Sequence, residues 1–449
     1  MWYSLVPLPF DASLVDLQET VEELDGGKTW KRWQAVSELA GAFMGKPVDP
    51  TMSHLQKLAA DRSEIWSSFE SDRVAGALEE MVDTGIRGAE SASRGWQQRA
   101  LKVVFFPKRS GLDSEIMSEL TKGSLSRRAF PSPLEPFAVL GSETAREHVL
   151  EQTAGKSYAE TYRETLNGLR EKYADRGDGL FPTDLYHAWL STVTALASPH
   201  DLPKTSPLEF AKSRAWQDRK LYSALAGYTE LRHGSIAYAA QSGSVGATPR
   251  YLAVVERPEL PEPRGFVDPE PEVFRQLAEM AKQTYEALND GVMPHAPNAS
   301  MPGGGKLNAR TITLRLGEMA RREVAGKPLT DEDHGFIEQI GPLLEEATPY
   351  AARSHRDISL VTDIHTNYAA GGLVLQLAVG RLLDSYVAVP NDVGRRMTHG
   401  AFFGSYFFRQ PMSDRLTDEQ WQKRLDRGDL PARPDWTESF IQPVDSNQK

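Results

Sequence analysis

Hydrophobic residues recur at three- and four-residue spacing along most of this chain, which is the pattern of amphipathic helices. The pattern predicts helices over residues 29–43, 64–82, 157–174, 183–196, 214–242, 271–288 and 308–324. In the first of these, Trp30, Trp33 and Phe43 fall on one apolar face, so we interpret the tryptophans as core residues. Sequences that resemble capping boxes place two further helix starts at Thr330 and Thr417.

Two regions carry the pattern of β-strands instead. Residues 101–107 are rich in β-branched and aromatic side chains and end in proline, which predicts one short strand. Near the C-terminus, four β-type runs over residues 358–366, 373–379, 386–389 and 397–408 are separated by Gly, Asn and Asp. The predicted fold class is predominantly α (α+β), a multi-helix body with a small antiparallel β-meander near the C-terminus.

Prolines mark the clearest boundary within the chain. Five of them fall between Pro258 and Pro271, in an acidic stretch that predicts an extended connector. The predicted organisation is a helical region with one short strand over 1–257, the connector over 258–271, and a region over 272–449 with helices, the β-meander and a final helix. We expect these regions to pack as one continuous unit.

The composition limits the class of partner. The chain has 449 residues, with 51 Lys and Arg against 62 Asp and Glu, and its formal net charge is −11. It contains no basic run that would neutralise phosphates, so we expect a protein or small-molecule partner and no nucleic acid. The chain has no cysteine, which excludes disulfides and thiolate chemistry. No run approaches the roughly 18 apolar residues of a transmembrane helix, so the sequence predicts a soluble chain.

Signatures of common enzyme classes are absent or incomplete. Met301–Lys306 contains Gly-Lys, but Ser300 stands where a P-loop has its first glycine and Leu307 where it has Ser or Thr. The segment from His148 to Gln152 is close to the inverted zinc motif, with glutamine in place of the second histidine. The sequence has no His-Glu-x-x-His, Gly-x-Ser-x-Gly or Gly-x-Gly-x-x-Gly motif. The common hydrolase and dinucleotide-binding classes therefore lose their main support.

The long helix predicted over 214–242 carries the first candidate site. Glu230 and His233 lie three residues apart on its polar face, where a carboxylate and an imidazole can share a proton or a metal ion. A solvated polar face without chemistry is the alternative. Arg232 falls within the apolar arc and needs a carboxylate or carbonyl partner if that side is buried, so we assign it a structural role. Trp216, near the helix start, is also assigned a structural role.

The second candidate site lies in the first strand of the predicted meander. The two-residue period of a strand places Asp363 and His365 on one face, with His399 on the last strand as a possible neighbour. Such a pair can bind a divalent metal ion, or the carboxylate can orient the imidazole as a general base. The alternative is a histidine that makes a structural hydrogen bond.

Several stretches of the chain, in specific order and spacing, resemble a bacterial family known as domain of unknown function 3160. They are Tyr186-His187-Ala188-Trp189-Leu190, Ala215-Trp216-Gln217-Asp218-Arg219-Lys220-Leu221, Tyr228-Thr229-Glu230-Leu231-Arg232-His233, Tyr238-Ala239-Ala240-Gln241-Ser242, Val361-Thr362-Asp363-Ile364-His365-Thr366, and the segment from Gln410 to Trp421. The resemblance covers almost the whole chain.

The resemblance implies an architecture but no activity, because the family has none assigned. Met1-Trp2-Tyr3 resembles an internal point of the family's longer domain, which implies that this chain is its C-terminal portion. Similar proteins often begin with an export or lipoprotein signal, absent from the first residues of this chain, and this implies an envelope location for a full-length version. Gly234 stands where similar sequences carry Asp, so no carboxylate role is expected there.

Two hypotheses of different classes follow. The first is a non-enzymatic helical scaffold or binding module of the cell envelope that presents a surface or groove to a protein or small ligand. The second is a metal-dependent hydrolase whose site combines Glu230 and His233 with Asp363 and His365 around a divalent ion. The second hypothesis requires that the helical pair and the strand pair meet in space.

Overall fold

The computed structural model describes residues 2–4, 26–44, 57, 61, 102–104, 111–174, 184–198, 202–236, 265–289, 299–300, 306–347, 359–368, 371–391 and 394–442. The helix predicted over 64–82, the end of the long helix from 237 to 242 and the first half of the predicted connector, 258–264, lie outside these residues. The chain divides into two compact units, Met1–Lys122 with Gly179–His187, and Gly123–Asp178 with Ala188–Lys449. All the candidate site residues belong to the second unit.

Helices dominate the described residues, as the periodicity predicts. They are α1 (Lys28–Met44), α2 (Leu112–Glu119), α3 (Glu135–Leu140), α4 (Glu143–Thr153), α5 (Ala159–Ala174), α6 (Leu185–Ala197), α7 (Arg214–Ile236), α8 (Pro271–Asn289), α9 (Ala309–Val324), α10 (Asp331–Glu338), α11 (Ile340–Ala347) and α12 (Asp418–Arg427). The sequence pattern misses α2, α3, α4 and α11, because helices of two or three turns are too short to establish a period.

Capping boxes fix the N-termini of three helices. Thr330 and Thr417 accept hydrogen bonds from the third residue of α10 and α12, and the side chains of Asp333 and Gln420 bind back to the cap backbone. Both predicted capping boxes are therefore confirmed. Asn308 makes the corresponding arrangement before α9.

The strands among the described residues form one main sheet and two short pairs. β1 (Trp2–Ser4) pairs with β2 (Lys102–Val104), and β3 (Ala299–Ser300) with β4 (Lys306–Leu307). The main sheet has the order β5 (Val361–Asn367), β6 (Leu373–Asn391) and β7 (Gly394–Pro411), all antiparallel. The sequence predicts a break between residues 379 and 386, but the strand continues, because Asp384 and Ser385 pair with Ala401 and Gly400 of β7. The antiparallel sheet near the C-terminus is confirmed, with long strands where short runs were predicted.

A bulge divides the main sheet into two halves. Between the pairs Val379–Ser405 and Leu382–Phe403, Gly380 and Arg381 of β6 lie opposite Gly404 alone, so β6 has one extra residue. A Cβ atom on Gly380 would lie 2.7 Å from a ring carbon of Tyr406, so only glycine fits beneath that ring. Beyond the bulge the sheet has two strands, and we call residues 382–391 and 394–403 the ribbon.

The core of the second unit forms around α7 and the three-stranded half of the sheet. Tyr222, Leu225 and Tyr228 of α7 are fully buried, and the helix packs against all three strands. On the sheet, the indole of Trp421 from α12 is also fully buried and donates a hydrogen bond to the carbonyl of Val379 at 2.7 Å. Within the described residues, no helix combines the length and apolar character required to cross a bilayer.

Candidate functional site

The imidazole of His233, in the last turns of α7, is held by a carboxylate from α12. Its Nε2 atom lies 2.8 Å from Oδ2 of Asp418, and Oδ1 of Asp418 accepts a hydrogen bond from the N–H of Val361 at 2.9 Å. Asp418 thus joins α7, α12 and β5 at one point. The Nδ1 atom of His233 is buried and has no hydrogen-bond partner among the described residues. The ring is oriented as in a proton-transfer dyad, but its second nitrogen is closed to solvent.

Glu230 and Arg232 lie beside His233 on α7 and are both partly buried. The helical spacing predicts that Glu230 and His233 act as a pair. The structure gives His233 a carboxylate partner from a different element, 185 positions away in sequence. Trp216, the other residue assigned a structural role, is buried against Phe210 and Phe266, with the guanidinium of Arg219 3.8 Å from its ring centroid.

Asp363 binds a glutamine of the neighbouring strand. Its Oδ1 accepts a hydrogen bond from Nε2 of the buried Gln376 at 2.7 Å, and Oε1 of Gln376 accepts one from the N–H of Leu416 at 3.0 Å. The guanidinium of Arg415 lies 3.6 Å from the other carboxylate oxygen. Asp363 therefore takes part in a chain of polar contacts that attaches the segment before α12 to the sheet.

Asp363 and His365 do not share a face of the sheet. Asp363 pairs with Gln376 and His365 with Leu375, so Ile364 is an extra residue in β5. Because neighbouring residues of β6 point to opposite faces, their partners on β5 do so as well. The expectation that the two-residue period places both side chains on one face is therefore wrong, and the β-bulge is the physical reason.

His365 packs against the segment before α3. Its ring makes an edge-to-face contact with Phe130, with 5.8 Å between centroids. Burial and the nearby guanidinium of Arg128 lower the pKa of His365, so the imidazole is neutral at pH 7. The amide of Asn367 donates to the carbonyl of Ala129 at 2.6 Å and attaches the end of β5 to the same segment.

A buried acid–base cluster lies close to His365, and no motif in the sequence predicts it. Glu135 is fully buried, and its Oε1 accepts a hydrogen bond from the hydroxyl of Tyr162 at 3.0 Å and forms an ion pair with Arg128. Burial raises the pKa of the Glu135 carboxyl, while Arg128 and Tyr162 oppose that shift. Shifted pKa values mark active sites and structural ion pairs alike. Here the acid and the cation are paired with each other, as in a structural ion pair.

His399 lies on the ribbon. Its Nε2 is 2.9 Å from Oδ1 of Asp384, and its ring stacks on Tyr386 with centroids 5.0 Å apart. The side chains of His399 and Asp384 are 61% and 71% exposed. His399 therefore contacts solvent and ribbon residues.

The candidate residues form separate arrangements. His233 binds Asp418, Asp363 binds Gln376, His365 packs on Phe130, and His399 binds Asp384. The part of the chain that the structure describes contains no group of three or more His, Asp or Glu that could hold a metal ion. Nothing in this geometry brings the helical and strand pairs together on one ion.

The ribbon presents one face that is exposed over most of its length. Alternation along both strands places the following residues on it, all exposed: Leu382, Asp384, Tyr386, Ala388, Met397, His399 and Ala401. We call this set the exposed face. Its large apolar side chains Leu382, Tyr386 and Met397 are 58%, 66% and 64% exposed. Asp384 and Ala401 lie between Leu382 and Tyr386 on this face, whereas Tyr386 and Met397 are diagonal neighbours. Exposed large apolar side chains on one face are a feature of interaction sites.

The opposite face of the ribbon is fixed to the body of the second unit. Val389 is fully buried, and Val387 packs against the cluster around Trp216. Sequence reasoning misses this surface because it predicts a break in β6 where the ribbon begins. The alternation of Leu382, Asp384 and Tyr386 with less exposed neighbours is the signal that could have revealed it.

Comparison with known proteins gives one match. The model of a family described as protein of unknown function (DUF3160) matches residues 17–437. No curated protein and no solved structure matches the chain.

Proposed function

The chain belongs to the DUF3160 family, and we propose that it is a non-enzymatic binding module that presents the exposed face of the ribbon to a protein partner. The observation that carries the proposal is the group of Leu382, Tyr386 and Met397, three large apolar side chains exposed together on one face of the ribbon. Aromatic residues and methionine are enriched at protein interfaces, where their burial stabilises the complex. The envelope location implied by the resemblance is part of the same proposal.

The form of the surface supports a protein rather than a small molecule as partner. Small-molecule sites are concave and bury most of the ligand, whereas one face of a two-stranded ribbon is an open surface. The packing of Val387 and Val389 holds the ribbon in place before binding. A surface fixed in advance loses little conformational entropy on association.

The alternative, a metal-dependent hydrolase, receives less support. It needs Glu230, His233, Asp363 and His365 around one ion, since metal–ligand bonds are about 2 Å long. In the described residues His233 and Asp363 bind other protein groups, and Asp363 and His365 point to opposite faces of the sheet. We therefore prefer the binding module.

The test compares the wild-type chain with the double variant Tyr386→Ser/Met397→Ser. Tyr368→Ser is the matched control, because Tyr368 is a 78% exposed aromatic residue outside the ribbon. Each immobilised chain is incubated with a lysate of the source cells, and a protein that the wild type retains is purified and titrated against all three.

The expected result is binding by the wild type and by Tyr368→Ser, and an affinity at least about tenfold lower for the double variant, equivalent to ~1.4 kcal/mol. Circular dichroism of the variants shows whether they are folded. If the folded double variant bound with the same affinity as the wild type, the proposal would be contradicted. The same holds if the lysate contains no protein that the wild type retains and the double variant does not.

A further inference from the structure

Residues Gly265–Glu270, which we call the strap, lead into α8 without regular secondary structure. Val267 nevertheless belongs to a buried cluster with Ile312 and Phe336, so its backbone amide needs a partner inside the protein. That partner is Glu323 of α9, whose Oε1 accepts the Val267 N–H at 3.3 Å. A side-chain carboxyl thus accepts the backbone hydrogen bond that a carbonyl of a neighbouring strand would accept in a sheet.

The surroundings of the Glu323 carboxyl disfavour its ionised form. The residue is 9% exposed, and its Oε2 is buried with no hydrogen-bond partner among the described residues. Burial raises the pKa of Glu323 to about 8, against the opposing effects of the Val267 amide and Arg396. At neutral pH the carboxyl is therefore mostly protonated.

The other charged groups around the strap have partners of their own. The ion pairs are Arg219–Asp268 at 2.8 Å, Lys220–Glu270 at 2.9 Å and Arg322–Asp333 at 2.7 Å. Arg396 of the ribbon donates a hydrogen bond to the carbonyl of Gly265 at 3.1 Å. Of the groups that act on Glu323, Arg396 favours its ionised form, while Asp268 and Asp333 oppose it. An ionised Glu323 would therefore face one cation that is already engaged and two carboxylates.

We propose that Glu323 and the strap form a pH-sensitive clasp, in which the neutral carboxyl holds the strap on α9 and loss of its proton to solvent in mildly alkaline solution releases it. The reason is hydration. A carboxylate buried without an ion pair gains most of its solvation only when the covering segment moves away. The clasp involves no residue of the exposed face, although Arg396 and the cluster around Trp216 connect the strap to the opposite face of the ribbon.

Proton linkage fixes the direction and size of the effect. The closed form holds the Glu323 proton up to pH about 8, whereas a solvated carboxyl loses it near the ordinary value of 4.5. The equilibrium constant for opening should therefore rise about tenfold per pH unit between these values and become constant above the higher one. Burial lowers the pKa of Lys220, which makes the strap more stable as pH rises. A rise in opening with pH therefore points to Glu323.

The test measures cleavage of the full chain by chymotrypsin between Phe266 and Val267, identified by mass spectrometry. Rates are taken at about pH 6, 7, 8 and 9 and divided by the rate for an unstructured peptide of the same sequence, so that they report the open population. Glu323→Gln mimics the protonated carboxyl. Glu318→Gln, an exposed change on the same helix, is the control.

We expect the normalised rate of the wild type and of Glu318→Gln to rise about fiftyfold from pH 6 to pH 8 and only about twofold further by pH 9. For Glu323→Gln it should not rise. A flat wild-type profile, an absence of cleavage at this bond at every pH, or an equal rise in Glu323→Gln would each overturn the clasp. If Glu323→Gln fails to fold, the slope and plateau of the wild-type profile decide.

Discussion

Asp418 binds His233 through one carboxylate oxygen and the amide of Val361 through the other, at 2.8 Å and 2.9 Å. Asp418 is the first residue of α12, so its carboxyl group also lies at the positive end of the helix dipole. One side chain thus aligns a helix, a strand and the central helix α7. The histidine that the sequence nominates for chemistry contributes its Nε2 atom to that alignment.

The first prediction concerns this junction. Asp418→Ala leaves the Val361 amide without its acceptor and His233 without its partner, so we expect the free energy of unfolding to fall by about 1–3 kcal/mol. Glu419→Ala, an exposed change at the next position, is the control and should stay within about 0.5 kcal/mol of the wild type. Urea unfolding followed by circular dichroism measures both. Equal unfolding midpoints for the two variants would show that the junction contributes nothing to stability.

The second prediction concerns the buried pair of Arg128 and Glu135. Arg128→Met leaves the fully buried carboxyl without its cation, and loss of one partner of such a pair destabilises a protein by about 3–5 kcal/mol. The double variant Arg128→Met/Glu135→Gln removes the buried charge as well. We therefore expect the double variant to be more stable than Arg128→Met alone in urea unfolding. If the decreases in the free energy of unfolding caused by the two substitutions simply added in the double variant, the ion pair would not be the source of the effect.

The helical part of this fold can be predicted from the sequence because its signal is local. The spacing that places Leu221, Leu225 and Tyr228 on one side of α7 depends only on the helix itself, and all three residues are fully buried. The caps at Thr330 and Thr417 are local in the same sense, since donor and acceptor lie three residues apart.

The candidate site could not be predicted in the same way, because its geometry depends on distant residues. The face on which His365 lies is set by the bulge at Ile364, and β5 contains no glycine that would signal that bulge. The partner of His233 is known only once α12 has packed beside α7. The continuity of β6 through Gly380 depends on pairing with β7, which overrides the local preference of glycine and aspartate for turns.

The third prediction tests the metal-dependent alternative. We expect His233→Ala and His365→Ala to retain the same content of Zn, Mn and Fe as the wild type when purified proteins are compared by elemental analysis, because the two histidines contact separate protein groups. His399→Ala serves as the exposed control. One equivalent of metal in the wild type that both His233→Ala and His365→Ala lose would restore a site built from Glu230, His233, Asp363 and His365.

The fourth prediction concerns the bulge from which the ribbon extends. In most strands an alanine is tolerated better than a glycine, because glycine loses more backbone entropy on folding. At Gly380 the added methyl would lie 2.7 Å from the ring of Tyr406, which is itself held edge-on against Trp421 with 5.4 Å between centroids. The ring cannot move without disturbing the core, so Gly380→Ala should lower the free energy of unfolding by about 1–3 kcal/mol.

Gly400 provides the matched control for this change. It lies on the ribbon, where an added Cβ has no atom within 4 Å, so Gly400→Ala should be neutral or slightly stabilising. The difference between the two unfolding midpoints isolates the steric effect from the entropic one, since both variants gain the same methyl group in a strand. If Gly380→Ala is as stable as Gly400→Ala, the Tyr406 ring does not restrict the bulge, and another feature must end the three-stranded half of the sheet.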